Sequence, residues 1–250
     1  MKITLLFRDG VESRFIASQV CETEKKVQVI IETGKVAKLN KLKRTFPMNK
    51  IYLWPKRLLD LVSLLIYESL FTNYLRSKID DVKLDSFLKI DDVNEDRCLS
   101  AVKKYNADII IVFGTAIIRE RFLTQIKKPI YNIHTGILPK YRNVHSEFWA
   151  YKNKDYKNIG VTIIHIDKGV DSGAIALQKT VRFTNNDTLF STRVKTFKLI
   201  VPLIRELLKA QKNKRVPKIK QDDRQSGYFR TPGTLQLLQY LFRELKPATR

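Results

Sequence analysis

The chain is poor in residues that staple, ligate or sharply punctuate a fold: its 250 residues hold two cysteines, three histidines, nine glycines and eight prolines. Cys21 and Cys98 lie far apart and in no spacing that pairs metal ligands. That argues against a disulfide framework or a thiolate metal site, and leaves buried free thiols in a reducing cytoplasm as the expectation. His134, His145 and His165 likewise show no ligand spacing, so no metal is expected. No uninterrupted apolar run reaches the length of a membrane span. The opening Lys2-Ile3-Thr4-Leu5-Leu6-Phe7 is too short for a signal-peptide core and reads as a first strand. There is no internal repeat.

Acidic residues are the other shortage. Against 47 Lys and Arg there are 25 Asp and Glu, for a formal net charge of +22. Such an excess attracts polyanions or anionic surfaces and says nothing about fold. Nucleic acid, nucleotide phosphates and anionic lipid all suit it, and a lysine-rich amino-acid usage accounts for it equally well. The hydrophobic content of 44% is that of an ordinary core. The length suits one α/β domain with a short appendage.

Strand and helix patterns alternate along the chain. The apolar run Ile3 to Phe7, the turn Arg8-Asp9-Gly10 and a helical pattern through Phe15, Ile16, Ala17 and Val20 open a βαβ unit. A single glycine makes that turn a poor phosphate cradle; Ser13 and the amides of the helix start can hold an anion, with a plain helix start as the alternative. Val27 to Ile31 predicts a second strand, followed by a solvated basic loop carrying Lys35, Lys38, Lys41, Lys43 and Arg44. Lys56 to about Ile79 has a helical period with a wide aliphatic face. A core helix, or one buried against a partner, is expected there; with Pro55 before it and Lys56-Arg57 in its first turn, a helix lying on a membrane surface is the alternative.

Asp91 to Tyr105 predicts a helix capped by Asn94. Ala107 to Gly114 reads as a central parallel strand buried on both faces. Arg119 to Ile126 suits a short helix, and Ile159 to Ile166 and Ala174 to Val181 two further strands. Asp187-Thr188 starts a long helix with a kink or break near Pro202. From Lys209 onwards the chain is a basic extension with a helix at Leu235 to Leu245, too small for a core of its own.

The stretch from Tyr131 to Arg142 organises the rest. Asn132 and His134 stand two apart at the end of a strand, so both polar groups face one spot. Asn132 offers an amide donor, and His134 an imidazolium donor or imidazole acceptor. Gly136 and Pro139 then turn the chain away, leaving the pair at a strand's carboxyl end, where open α/β sheets place their ligands. Further on, Gly169 and Gly173 flank Asp171 in a loop able to approach a ligand closely. His145 is a third polar candidate near the site, with an exposed helix-start histidine as the alternative; His165 is expected to be structural.

Asn132, His134, Leu138, Pro139 and Tyr141, the strand Gly160-Val161-Thr162-Ile163-Ile164 and the loop Asp171-Ser172-Gly173 together resemble the formyltransferase family that uses 10-formyltetrahydrofolate. That family includes methionyl-tRNA formyltransferase, glycinamide ribonucleotide transformylase and the sugar N-formyltransferases. The resemblance runs over roughly residues 105 to 180. Thr135-Gly136 replaces the usual small residue plus serine, and Asn143 stands where glycine is common, which leaves the loop shape and the acceptor open.

The resemblance implies an α/β, Rossmann-like fold with a mostly parallel central sheet and helices on both faces: a catalytic domain over 1–208 and a basic extension over 209–250. It implies Asn132, His134 and Asp171 as catalytic residues, the first two as donors to the formyl oxygen and Asp171 as the group that orients His134. It sets Phe113, Gly114, Thr115, Ala116, Ile117 and Ile118 against the pterin of the folate, with Asp167 in the same binding set. Ser13, Tyr141, Arg142 and His145 fall on the acceptor side. The acceptor expected is a primary amine, first on a nucleotide-linked amino sugar, next on glycinamide ribonucleotide, and third on charged tRNA, whose formyltransferases carry a larger carboxyl-terminal β-barrel. Two other classes stay open: a hydrolase using the same residues, and a non-catalytic basic module for nucleic acid or anionic membrane on the same scaffold.

Overall fold

The computed structural model describes residues 1–34, 48–79 and 86–244. The expected basic loop at 35–44 lies outside the described residues. In chain order the strands are β1 (Ile3–Arg8), β2 (Val27–Glu32), β3 (Leu88–Ile90), β4 (Ile109–Phe113), β5 (Ile130–His134), β6 (Arg142–Asn143), β7 (Gly160–His165), β8 (Ile175–Thr180) and β9 (Tyr228–Phe229). The helices are α1 (Val11–Thr23), α2 (Trp54–Arg76), α3 (Asp96–Tyr105), α4 (Glu120–Gln125), α5 (Ser146–Lys152), α6 (Leu189–Lys212) and α7 (Thr234–Glu244).

Seven strands form one sheet in the order β3-β2-β1-β4-β5-β7-β8. The strands β1 to β5 in it run parallel, while β7 is antiparallel to β5 and β8 to β7. The chain winds outward in one direction from β1 and in the other from β4, so a crevice opens beyond the carboxyl ends of these two strands. Alternation along the central strands explains why both faces are covered. Ile3, Leu5, Phe7, Ile109 and Ile111 join the core under α1, α2 and α6, whereas Leu6, Ile110 and Val112 join the core under α3 and α4. Each such side chain contributes about 1.5–3 kcal/mol of burial.

Three elements differ from the sequence expectation. Helix α3 begins at Asp96 with Glu95 at its cap position; Asn94 spends its side chain elsewhere, on Ile117 and Arg119. Helix α6 is not broken at Pro202 but runs on to Lys212. Pro202 and Lys198, whose carbonyl loses its partner, are both solvent-exposed, so water can satisfy that carbonyl while Ile200, Leu203 and Ile204 stay packed. Helix α2 buries Ser63, Tyr67, Phe71 and Leu75 but leaves Leu58, Leu59, Val62, Leu65 and Ile66 exposed. The core reading holds for one of its faces only.

The extension packs on the rest. The division expected at 208/209 falls inside α6. Beyond it, Ile219 pairs with Ile175, β9 lies parallel to β6, and α7 rests on α2 with Leu237 in the main core. Of the two cysteines, Cys98 is buried and Cys21 is exposed; burial pushes the Cys98 thiol up to about 12.

Candidate active site

A cavity of about 710 Å³ occupies the crevice beyond β1 and β4, and Asn132, His134 and Asp171 all line it. Strand β5 presents the first two on one face. The third arrives from the loop after β7, where Asp171 adopts a left-handed φ of 52°. Gln221 of the extension holds that loop by donating to the carbonyls of Asp171 at 2.8 Å and Gly173 at 2.7 Å. A side chain at Gly173 would strike the His165 carbonyl oxygen at 1.7 Å, so only glycine fits there.

The carboxylate of Asp171 bridges the other two. Its Oδ1 accepts from Asn132 Nδ2 at 3.3 Å, and its Oδ2 lies 3.5 Å from His134 Nδ1 and accepts from the backbone amide of Asn143 at 2.9 Å. On the far side of the ring, His134 Nε2 stands 2.6 Å from the Tyr141 carbonyl oxygen. A carbonyl only accepts, so Nε2 carries a proton and Nδ1 is the ring atom turned to the carboxylate. Ser146 Oγ, 3.1 Å from Nε2 and donating to the same carbonyl at 3.0 Å, completes the clamp.

Both departures from the family pattern have a physical account. A Cβ on Gly136 would lie 2.5 Å from Ser146 Cβ and 2.8 Å from His134 Nε2, so the clamp requires glycine. Asn143 sits at φ 76°, a region that asparagine tolerates better than most residues, and its side chain donates to the Phe229 carbonyl at 2.7 Å.

Phe113, Gly114, Thr115, Ala116, Ile117 and Ile118 form one wall of the cavity, and Asp167 lies on it as well. Gly114 turns the chain with φ 66°. The segment after it is fixed by two side chains that sequence reading missed. Buried Glu32 accepts from the Ala116 amide at 2.9 Å and the Val93 amide at 3.1 Å, and Asn94 accepts from the Arg119 amide at 2.7 Å and donates to the Ile117 carbonyl at 3.0 Å. An acid ending an otherwise apolar strand was the available signal for Glu32. Asp167 accepts from the Gly169 amide at 3.0 Å and Ser172 Oγ at 2.8 Å, shaping the loop that carries Asp171.

The expected acceptor residues divide. His145 lines the cavity. Ser13, Tyr141 and Arg142 do not line it. Ser13 is buried; Tyr141 is buried with its ring on Phe229 and its hydroxyl donating to Asp155 at 3.0 Å; Arg142 is drawn to Gln221 and Asp223, both at 2.8 Å. Glu12, Glu147 and Arg193, spread over α1, α5 and α6, line the cavity as well. Glu12 folds back over Gly10 at the start of α1, and burial raises its carboxyl above the usual range. Arg193 pairs with Glu147 at 2.9 Å and Glu68 at 3.2 Å, with its guanidinium 3.7 Å from the Phe71 ring centre. Burial opposes that charge, but the carboxylate of Glu68, with Glu147 and Glu12 behind it, raises its proton affinity further. Among the described residues, no group of three or more His, Cys, Asp or Glu is arranged to hold a metal ion.

The strand order and the polar cluster at the switch point define a doubly wound α/β protein with a ligand site at the strand ends. The chain belongs to the formyl transferase family, whose sequence profile matches residues 22–199. It is similar to the methionyl-tRNA formyltransferase of Kosmotoga olearia, at 31% identity over 137 residues, or 54% of this chain and 44% of that protein. The Fervidobacterium nodosum enzyme of the same name is 36% identical over 112 residues, 44% of this chain and 35% of that one. The chain thus spans less than half the length of these curated relatives. Among solved structures, the formyltransferase PseJ from Anoxybacillus kamchatkensis is 26% identical, with a TM-score of 0.50 over 70% of this chain and 85% of that one. A sugar N-formyltransferase from Shewanella shares the fold at 17% identity, with a TM-score of 0.59 over 100% of this chain and 90% of that chain.

Proposed function

We propose that this chain transfers a formyl group from 10-formyltetrahydrofolate to a primary amine on a nucleotide-linked amino sugar. The observation that carries the reading is the Asp171 carboxylate set between Asn132 and His134 at the edge of the cavity. The cavity suits a flat heterocycle: Val112, Ile133, Ile164 and Ile166 supply apolar walls, and the main chain from Gly114 to Ile118 offers donors and acceptors at its rim.

When bound, the folate supplies an electrophilic formyl carbon on a nitrogen leaving group. The Asn132 amide donates to the formyl oxygen as negative charge gathers there. With Nε2 held on the Tyr141 carbonyl, His134 serves the reacting centre through Nδ1, which Asp171 orients. Asp171 accepts the proton that the amine gives up as its nitrogen joins the formyl carbon, and that proton departs with the leaving nitrogen.

The nucleotide-sugar acceptor is supported by the likeness to PseJ, whose complex contains UDP-4,6-dideoxy-4-formamido-L-AltNAc and tetrahydrofolate. Glu12 adds an argument about the phosphates. The Glu12 carboxyl folds over Gly10 and fills the space at the start of α1, so a phosphate ester meets no open helix end there, which disfavours glycinamide ribonucleotide. The test is tetrahydrofolate release from 10-formyltetrahydrofolate with a panel of aminosugar nucleotides, glycinamide ribonucleotide and charged tRNA. Turnover that requires an aminosugar nucleotide is expected; equal release with no amine present would mean hydrolysis instead.

A further inference from the structure

Helix α2 is apolar on two sides, and one of them is exposed. Tyr67, Phe71 and Leu75 point into the core, whereas Leu58, Leu59, Val62, Leu65 and Ile66 follow an outward stripe and are 42–60% exposed. Five half-exposed aliphatic side chains on three turns amount to several hundred Å², the extent that marks an interaction surface rather than scattered residues. The start of α7 continues the patch. Thr234 donates to Asp60 Oδ1 from both its amide and its hydroxyl at 2.8 Å, which fixes Leu235, 84% exposed, beside α2.

The charges around the stripe are sorted. The two acids of α2 are engaged away from it, Asp60 by Thr234 and Glu68 by Arg193. Exposed Lys50 and Lys56 lie at the amino-terminal end of the helix, and exposed Arg76 and Lys78 at its other end. An aliphatic stripe bracketed by cations, on a chain of net charge +22, complements an anionic lipid surface. It is poorly suited to a second copy, since pairing would bring two strongly cationic chains together. By length and a mean hydropathy of 1.3, α2 reaches the range of a membrane span. Crossing a bilayer would tear Tyr67, Phe71 and Leu75 out of the core, so the geometry fits a helix lying in the plane of the interface.

We propose that the outer face of α2, continued by Leu235, seats this chain on an anionic membrane surface, with the aliphatic side chains below the headgroups and the flanking lysines and arginines among the phosphates. The test uses the whole chain and co-sedimentation with vesicles of phosphatidylcholine alone or mixed with phosphatidylglycerol. Binding is expected to the mixed vesicles only and to weaken with salt. The double variant Leu58→Ser, Leu65→Ser should lose at least about tenfold in binding, because it removes two side chains from the apolar contact, with its melting temperature and folate turnover unchanged. If that variant fails to fold, Leu59→Gln makes the same comparison with a smaller change. Three results would overturn the proposal: no vesicle binding, binding that the substitutions leave intact, or a wild-type dimer that the substitutions convert to a monomer without any lipid effect. Vesicle binding needs neither folate nor amine, so this outcome is independent of the proposed activity.

Discussion

Both ring nitrogens of His134 have partners: Nε2 on the Tyr141 carbonyl and Nδ1 beside Asp171. The ring therefore cannot turn without breaking two contacts. Replacing His134 or Asn132 by alanine is expected to lower kcat by about a hundred- to a thousandfold while leaving the melting temperature within a few degrees, the usual cost of one oxyanion donor. A kcat within a factor of a few of wild type would remove that residue from the chemistry. Gly136→Ala makes a second residue-scale test. Its methyl group would meet Ser146 and the His134 ring, so activity should fall; adding Ser146→Gly should recover part of it by removing the atom at 2.5 Å. Strand period put Asn132 and His134 on one face and the flanking glycines marked the Asp171 loop as able to approach a ligand, while their reading as one catalytic set came from the family resemblance. Ser146, Glu147 and Arg193 were not legible, since their partners lie on other elements and no periodicity records them.

Strand ends and helix starts carry the next level. The segment Gly114 to Ile118 is positioned by Glu32 and Asn94, neither of which lines the cavity. Asn94→Ala should therefore raise KM for the folate several-fold with little change in kcat, measured by steady-state turnover; a fall in kcat alone would contradict a positioning role. At the start of α6, burial would raise the Asp187 carboxyl, but hydrogen bonds from Lys195, Thr184 and Ser191 prevail and hold it below its ordinary value. A depressed folded value stabilises the chain above the unfolded carboxylate range near pH 4 and is lost as pH falls through the lower folded value. Asp187→Asn is expected to cost on the order of 2 kcal/mol at neutral pH from lost charged hydrogen bonds. In denaturant melts that difference should shrink progressively as pH falls below the ordinary carboxylate range and through the lower folded value. The sequence placed α6 and its start correctly and left its continuity open, because whether Pro202 kinks or breaks a helix depends on which side of it meets solvent.

Across the whole molecule, alternating strand and helix patterns gave an opening βαβ unit and the buried run at β4 a central parallel strand, while the mostly parallel sheet covered on both faces was what the family resemblance implied. The position of the extension was not legible: Gln221 reaches the Asp171 loop and Leu237 enters the main core from a basic segment whose one expected helix is too small for a core of its own. Deleting the chain from residue 213 onward should accordingly destabilise the fold and uncover the Asp171 loop, seen as a lower melting temperature together with lost turnover; an intact, active truncation would contradict that coupling. The exposed face of α2 was legible only as an ambiguity, since a helix apolar all round can belong to a core or to an interface. The central claim, formyl transfer through the Asn132–His134–Asp171 cluster, is tested most directly by mass-spectrometric detection of the formylated acceptor after incubation with 10-formyltetrahydrofolate and an aminosugar nucleotide. The account predicts an N-formyl product with the wild-type chain and none above background with Asp171→Asn. Product formed equally by both, or folate consumed with no formylated amine, would contradict it.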